Sequence, residues 1–245
     1  MSDRATRSRS FETVAAEYER WRPDYPEAAL RWAADTLALA PGARVLDVGA
    51  GTGKLTRGLV ALGFDAVAVE PGGPMLEQLV QAVPAAEAHQ APAEAIPLAD
   101  ESVGAAFAGQ AYHWFDRERA LPELHRVLRP GGGIALLWNW WDERHPLQRE
   151  LGQLVGYAGH EPYVEAELPG EPWFAEVGRA VIETGGETTA DALVGHLATA
   201  SGFLVVDPAE REEALQAVRD LAARYGDPFP FPRLTYVFAF RRHDA

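Results

Sequence analysis

Chemistry concentrates at Gly49-Ala50-Gly51-Thr52-Gly53, three glycines at alternate positions after the apolar run Val45-Leu46-Asp47-Val48. A helical pattern opens at Lys54. Glycines permit positive φ and let a ligand approach the backbone closely. The helix N-terminus that follows offers unpaired N–H groups. A second apolar run, Phe64 to Val69, ends at Glu70, where a carboxylate can accept hydrogen bonds from ribose hydroxyls. Strand, glycine turn, helix and a second strand ending in an acid describe a site for an adenosine-containing cofactor. A nicotinamide or flavin site would favour G-x-G-x-x-G, with its third glycine allowing close helix–strand packing. Here the spacing is Gly49-x-Gly51-x-Gly53, followed by Lys54. Asp47, inside the strand end, would repel a pyrophosphate and can reach a cationic group across the turn, which suits an amino acid moiety better.

A second candidate is His113 in Ala111-Tyr112-His113-Trp114-Phe115-Asp116. It lies just beyond the fourth expected strand, at the sheet edge where such folds bind ligands. Its ordinary pKa suits proton transfer near neutrality. The alternative is a loop histidine that positions Trp114 and Asp116. Asp116 precedes a helical run from Arg117 and suits an N-cap. The histidines at 89, 125, 145, 160, 196 and 243 show no metal-ligand spacing, so no metal is expected.

The elements that must position these residues alternate. Strands are expected at 43–49, 64–70, 85–89, 103–109 and 132–140, with helices at 53–62, 73–82 and 116–128 between them. Such alternation predicts an α/β fold with a parallel sheet covered on both faces. Two amphipathic helices, 11–20 and 26–39, precede it, Pro26 opening the second. After 141 the rhythm changes. Helices are expected at 146–158, 172–178, 190–200 and 208–225, a strand at 180–187, and a closing strand from Arg233 to Arg241. The acidic run Glu161 to Glu171 reads as a solvated lid or loop. Alternation sends Trp138 and Trp140 to one face of the fifth strand and Trp141 to the other. No internal repeat or linker divides the chain. One domain over 1–245 is expected, with a flexible tail at 1–10, N-terminal helices at 11–40, a cofactor-binding core at 43–141, helical acceptor-side additions at 142–230 and the closing strand at 231–241.

Composition narrows the partners. With 36 acidic residues against 22 basic ones the formal charge is −14, which tells against a nucleic acid, since phosphate binding needs clustered Lys and Arg. There is no cysteine, which removes disulfides, thiolate metal sites and cysteine nucleophiles together. No apolar run is long enough to span a bilayer, and Arg4, Arg7 and Arg9 are followed by no apolar signal segment. Cytoplasmic residence without a membrane partner is the expectation; oligomeric state is left open.

These residues resemble the class I S-adenosylmethionine-dependent methyltransferases, and within them the type 11 small-molecule group. Four blocks carry the resemblance in the family's order: Val45 to Gly53; Val67-Ala68-Val69-Glu70-Pro71; Ala93-Glu94-Ala95-Ile96-Pro97-Leu98 with Val103 to Gln110; and Leu128-Arg129-Pro130-Gly131-Gly132. The segment from Ala111 to Asp116 and the pattern Tyr18…Arg22-Pro23-Asp24-Tyr25-Pro26 are similar to the type 11 group as well. The resemblance is strong over 11–140, weaker at 189–241 and thin at 142–188. It implies a doubly wound, seven-stranded, mostly parallel sheet with N-terminal helices and a helical insertion near the C-terminus. It also implies S-adenosyl-L-methionine as cofactor: Asp47, Gly49, Ala50, Gly51 and Gly53 around its methionine and ribose, Glu70 and Pro71 at the ribose hydroxyls, Met75 near adenine, Ala93 and Glu94 at the adenine edge. Gln110 closes the third block at the site, and Trp114 in the following loop either roofs the cofactor or fills core. Tyr18 and Arg22 belong to a segment that folds over the cofactor in that family, Arg22 either pairing with the methionine carboxylate or lying on the surface.

The expected activity is in-line methyl transfer to a small-molecule acceptor. Holding the nucleophile close and aligned supplies most of the barrier lowering, with His113 as a possible base or a positioning residue. Two other readings are weighed beside it: a catalytically silent cofactor-binding or regulatory protein of the same fold, and a NAD-dependent oxidoreductase, disfavoured by the missing third glycine.

Overall fold

A computed structural model describes residues 11–156 and 168–243 of the chain. The expected tail at 1–10, His160, the last residues of the 146–158 helix and most of the acidic run lie outside the described residues.

Seven strands form one sheet: β1 (Arg44–Val48), β2 (Asp65–Val69), β3 (Glu87–His89), β4 (Val103–Gly109), β5 (Leu128–Trp141), β6 (Phe174–Thr184) and β9 (Arg233–Arg242). Their order is β3-β2-β1-β4-β5-β9-β6, and the β3/β2, β2/β1, β1/β4 and β4/β5 pairs are all parallel. Two short strands, β7 (Glu187–Thr188) and β8 (Phe229–Pro230), pair antiparallel by themselves. The helices are α1 (Ala15–Trp21), α2 (Glu27–Thr36), α3 (Lys54–Ala61), α4 (Gly73–Ala82), α5 (Arg117–Val127), α6 (Pro146–Leu154), α7 (Ala190–Ala198), α8 (Ser201–Leu204) and α9 (Pro208–Ala223). Pro26 stands one residue outside α2, at its N-cap.

The described residues group into two compact units. The larger comprises the described residues within 24–138, 163–182 and 235–245. Strand alternation divides its apolar side chains between two clusters, as period-two geometry requires. Leu46, Val48, Val67, Ala106, Ile134 and Leu136 pack with Leu124 and Val127 of α5. Val45, Phe107, Ala135 and Leu137 pack with Leu30 and Ala33 of α2 and Leu55 and Leu59 of α3. The smaller unit comprises the described residues within 1–23, 139–162 and 183–234. Leu147, Leu151, Leu193, Leu197, Leu215, Val218 and Phe229 form its own core. Among the described residues no helix is long and apolar enough to cross a membrane.

Four local expectations are corrected. Residues 174–184 form strand β6, where a helix was expected at 172–178 and a strand only from 180. Ala and Glu favour a helix, but β-branched Val177, Val181 and Ile182 fit the pleated sheet, and β6 ends the sheet order. Its exposed Glu176, Arg179 and Glu183 are charges of the kind that discourage edge pairing. The strand expected at 132–140 begins earlier, at Leu128, as β5, its register against β4 slipping between Val103 and Ala105. Trp140 and Trp141 do not point to opposite faces: their rings stack at 6.2 Å and 25°. Asp116 occupies the N-cap of α5, yet its side chain makes no capping bond; its N–H instead donates to Glu94 Oε1 at 2.6 Å.

Candidate active site

The glycine turn closes over the end of β2. The N–H groups of Gly49 and Ala50 both donate to the Val69 carbonyl, at 2.8 and 3.1 Å. Gly49, Gly51 and Gly53 have φ of +68°, +56° and +87°, a region L side chains rarely enter. At Gly53 a Cβ would stand 2.9 Å from Leu79 Cγ and 3.2 Å from Val83 Cγ2, so this glycine lets α3 lie against α4. Gly53→Ala is therefore expected to lower stability by about 1–3 kcal/mol, through strain and overpacking together. A thermal unfolding scan checks this; an unchanged melting temperature would mean that Leu79 and Val83 yield freely. Around a Cβ placed on Gly51 there is open space.

Glu70 buttresses the turn. Its Oε2 accepts from the Gly51 N–H and its Oε1 from the Gly72 N–H, each at 2.8 Å. A carboxylate has about four lone-pair sites, so both oxygens retain acceptor capacity for hydroxyl groups. Asp47 lies on the β1 face that meets α3. Its Oδ2 accepts from the Thr56 hydroxyl at 2.6 Å, while Oδ1 is buried without a partner among the described residues. Burial pushes the Asp47 pKa up to about 7; the Thr56 bond opposes this and the Glu70 charge adds to it. Lys54, in place of a third glycine, pairs with Asp24 at 3.5 Å.

Other expected residues surround the same end of the sheet. Met75, on α4, and Ala93 are buried. The Pro71 carbonyl accepts from Gln90 Nε2 at 3.1 Å. Gln110, the first residue after β4, is held at φ +55° while its N–H donates to the Leu137 carbonyl at 2.9 Å. Strained backbone of this kind gathers at functional sites. Tyr25 presses on the end of β4, its hydroxyl 2.5 Å from where a Gly109 Cβ would be. His113 and Trp114 form a single 3-10 turn, with ring centroids 4.6 Å apart. The Trp138 indole N–H donates to His113 Nδ1 at 3.5 Å. A ring accepting at Nδ1 carries its neutral-form proton on Nε2, so this geometry favours a donor over a base.

Tyr18 and Arg22 fall in the smaller unit. Arg22 Nε donates to Thr199 Oγ1 at 2.9 Å, and its guanidinium lies 5.1 Å from the Tyr18 ring centre. Thr56, His196, Thr199 and Arg233 were not singled out from sequence. Tertiary packing brings Thr56 to Asp47, and Thr199 and His196 to Arg22, with no local spacing to mark them; Arg233 lies over the Phe231 ring two residues away.

The methyltransferase domain family matches residues 46–136. An uncharacterized methyltransferase of Mycobacterium tuberculosis is 45% identical over 219 residues, 89% of this chain and 87% of that protein. The chain belongs to the class I S-adenosylmethionine-dependent methyltransferases. A malonyl-[acyl-carrier protein] O-methyltransferase of Dechloromonas aromatica is 30% identical over 225 residues, 80% of this chain and 85% of that protein. A solved structure from Anaeromyxobacter dehalogenans, a candidate type II methyltransferase, superposes with a TM-score of 0.65 at 31% identity, covering 90% of this chain and 97% of that one. The cofactor of this methyltransferase is S-adenosyl-L-methionine, and the oxidoreductase reading falls away. The site accommodates such a group: open space at Gly51, an acid ending β2 and an orphaned carboxylate oxygen on Asp47 match its ribose and amino ends.

Proposed function

We propose that the methyltransferase acts on a small-molecule acceptor in the cytoplasm, with neither nucleic acid nor membrane as partner, and that it works mainly by positioning. The carrying observation is the Glu70-braced glycine turn: an acid and a set of glycines shaped in advance for a ribose and its methionine arm. When bound, the cofactor supplies an electrophilic sulfonium methyl group. The protein's residues then do four things. Gly49, Ala50, Gly51 and Gly53 lay backbone along the ligand, with Pro71 beside them. Glu70 accepts from the ribose hydroxyls. Met75, Ala93 and Glu94 flank the adenine. Gln110, His113 and Trp114 hold the reacting end and exclude water, and alignment alone can lower the barrier by several kcal/mol. The net charge of −14 supports the absence of a nucleic-acid partner.

Isothermal titration with S-adenosylmethionine and S-adenosylhomocysteine tests the reading, and failure to bind either overturns it. Binding without methyl transfer to any of a broad metabolite panel would favour the silent alternative. For His113 we expect a donor and positioning role. His113→Ala should leave S-adenosylhomocysteine affinity within about twofold and lower kcat by roughly tenfold, less than the hundredfold or more that a proton-transfer group contributes. The pH profile should keep its shape. An acidic limb of the kcat profile, with activity rising with pH, that vanishes in the variant would instead identify a general base.

A further inference from the structure

The segment from Ala93 to Leu98, in the larger unit, belongs to no helix or strand. With no ladder to define it, its shape follows from the individual bonds that satisfy its main chain. The later half is anchored to α5. Glu123 Oε2 accepts from the Ile96 N–H at 3.0 Å. Arg126 donates to the carbonyls of Ile96 and Leu98 at 2.9 and 2.8 Å, and to Asp100 Oδ1 at 2.7 Å. The same guanidinium meets both Glu123 oxygens at 2.9 Å. All five of its N–H donors are thereby used. The Ile96 side chain is buried in the core that the sheet shares with α5.

The earlier half reaches the other end of that helix. Glu94 Oε1 accepts from the Asp116 N–H at 2.6 Å, across 22 residues of chain. In a capping box a glutamate at the third helical position takes the N-cap N–H. Here that position is Arg119, the Asp116 side chain makes no cap bond, and Glu94 supplies the acceptor from outside the helix. A local cap would serve α5 alone; this one joins two separate segments. Asp116 directly follows the turn that holds His113 and Trp114. In it the Trp114 N–H donates to the Ala111 carbonyl at 2.8 Å and the Phe115 N–H to the Tyr112 carbonyl at 3.1 Å. That turn rests in its turn on the glycines: a Cβ on Gly49 would stand 2.6 Å from Ala111 Cβ and 3.4 Å from Phe115 Cε1.

We propose that Glu94 is a positioning residue that couples the adenine end of the donor site to the turn carrying His113 and Trp114. The inference rests on the reading that Ala93 and Glu94 flank the adenine, and its test needs no acceptor. A purine that settles the 93–98 segment also settles the turn, through the Glu94–Asp116 bond, before the methionine arm makes contact. Arg126 and Glu123 fix the far end of the segment, so a displacement near Ala93 passes to Asp116 and is not absorbed toward Leu98. The link requires an acceptor oxygen at position 94, which a glutamine also carries.

Adenosine, which has the purine and ribose but no methionine arm, is the probe, added to the isotope-labelled full chain and followed by NMR. At saturation it is expected to shift the Ala93 amide signal directly, and the Asp116 amide and Trp114 indole signals through Glu94. In Glu94→Ala the Ala93 shift should persist while the shifts at Asp116 and Trp114 vanish. Glu94→Gln should restore them. Without ligand, hydrogen exchange of the Asp116 amide should quicken by about tenfold or more in Glu94→Ala, as the loss of a bond to a charged acceptor implies, and much less in Glu94→Gln. A bond that merely caps α5 would give the exchange effect with no wild-type shift at Asp116 or Trp114, and that result overturns the proposal. Shifts at those two residues that survive in Glu94→Ala overturn it equally. An Ala93 signal that ignores saturating adenosine would count against the adenine-edge reading beneath it, a failure distinct from either of these.

Discussion

Replacing Glu70 with alanine is expected to weaken S-adenosylmethionine binding by about a hundredfold or more. Hydrogen bonds to a charged group contribute about 1.5–3 kcal/mol each, and two ribose hydroxyls are at stake. The same change removes the acceptors of the Gly51 and Gly72 N–H groups. Stability should therefore fall as well, by about 1–3 kcal/mol for each buried donor left unsatisfied. Calorimetric titration and chemical denaturation read the two effects separately. Glu70→Gln is the informative companion. Its amide retains one acceptor oxygen, so it can brace one N–H but not both, and an intermediate loss in affinity is expected. A variant that is destabilised yet binds the cofactor normally would reduce Glu70 to a brace for the turn.

That dual role shows where sequence stops being legible. Glu70 could be marked as a functional acid from its place after an apolar run, and so could the glycines before α3. The bond from the Gly51 N–H to Glu70 spans 19 residues and exists only once β1 and β2 lie side by side. Asp47 was legible as an acid in a strand, but its partner Thr56 became evident only when α3 folded back on the sheet. The core strands read well: β1, β2 and β4 match expectation to within a residue at either end, because buried parallel strands are near-continuous apolar runs. Edge strand β6 read badly for the converse reason. It is largely exposed, rich in Ala and Glu, and its pairing lies with distant sequence. The contacts of Arg22 are the extreme case: Thr199 and His196 lie 177 and 174 residues away, and no local pattern announced them as its partners.

The second large effect is a pH dependence set by Asp47, which is 1% exposed and whose pKa burial pushes to about 7. In the unfolded chain an aspartate titrates near about 3.9. Below that value both states hold the proton, and Asp47 adds no pH dependence. Between about pH 4 and 7 the unfolded state has released its proton while the folded state keeps it, so each unit of pH removes about 1.4 kcal/mol of stability. Above the folded pKa both states are ionised and the accumulated penalty, on the order of 4 kcal/mol, stays constant. Asp47→Asn cannot ionise and keeps an oxygen for the Thr56 hydroxyl. Its stability relative to wild type should thus climb between about pH 4 and 7 and flatten above. Denaturant titrations across that range measure the difference, and one independent of pH would mean that the carboxylate is ionised throughout. Cofactor binding supplies the complementary reading. An ammonium meeting the orphaned Oδ1 favours the ionised form, so wild-type affinity for S-adenosylmethionine should strengthen up to about pH 7. In Asp47→Asn that increase should be lost, which ties the buried charge to the donor and not to the fold alone.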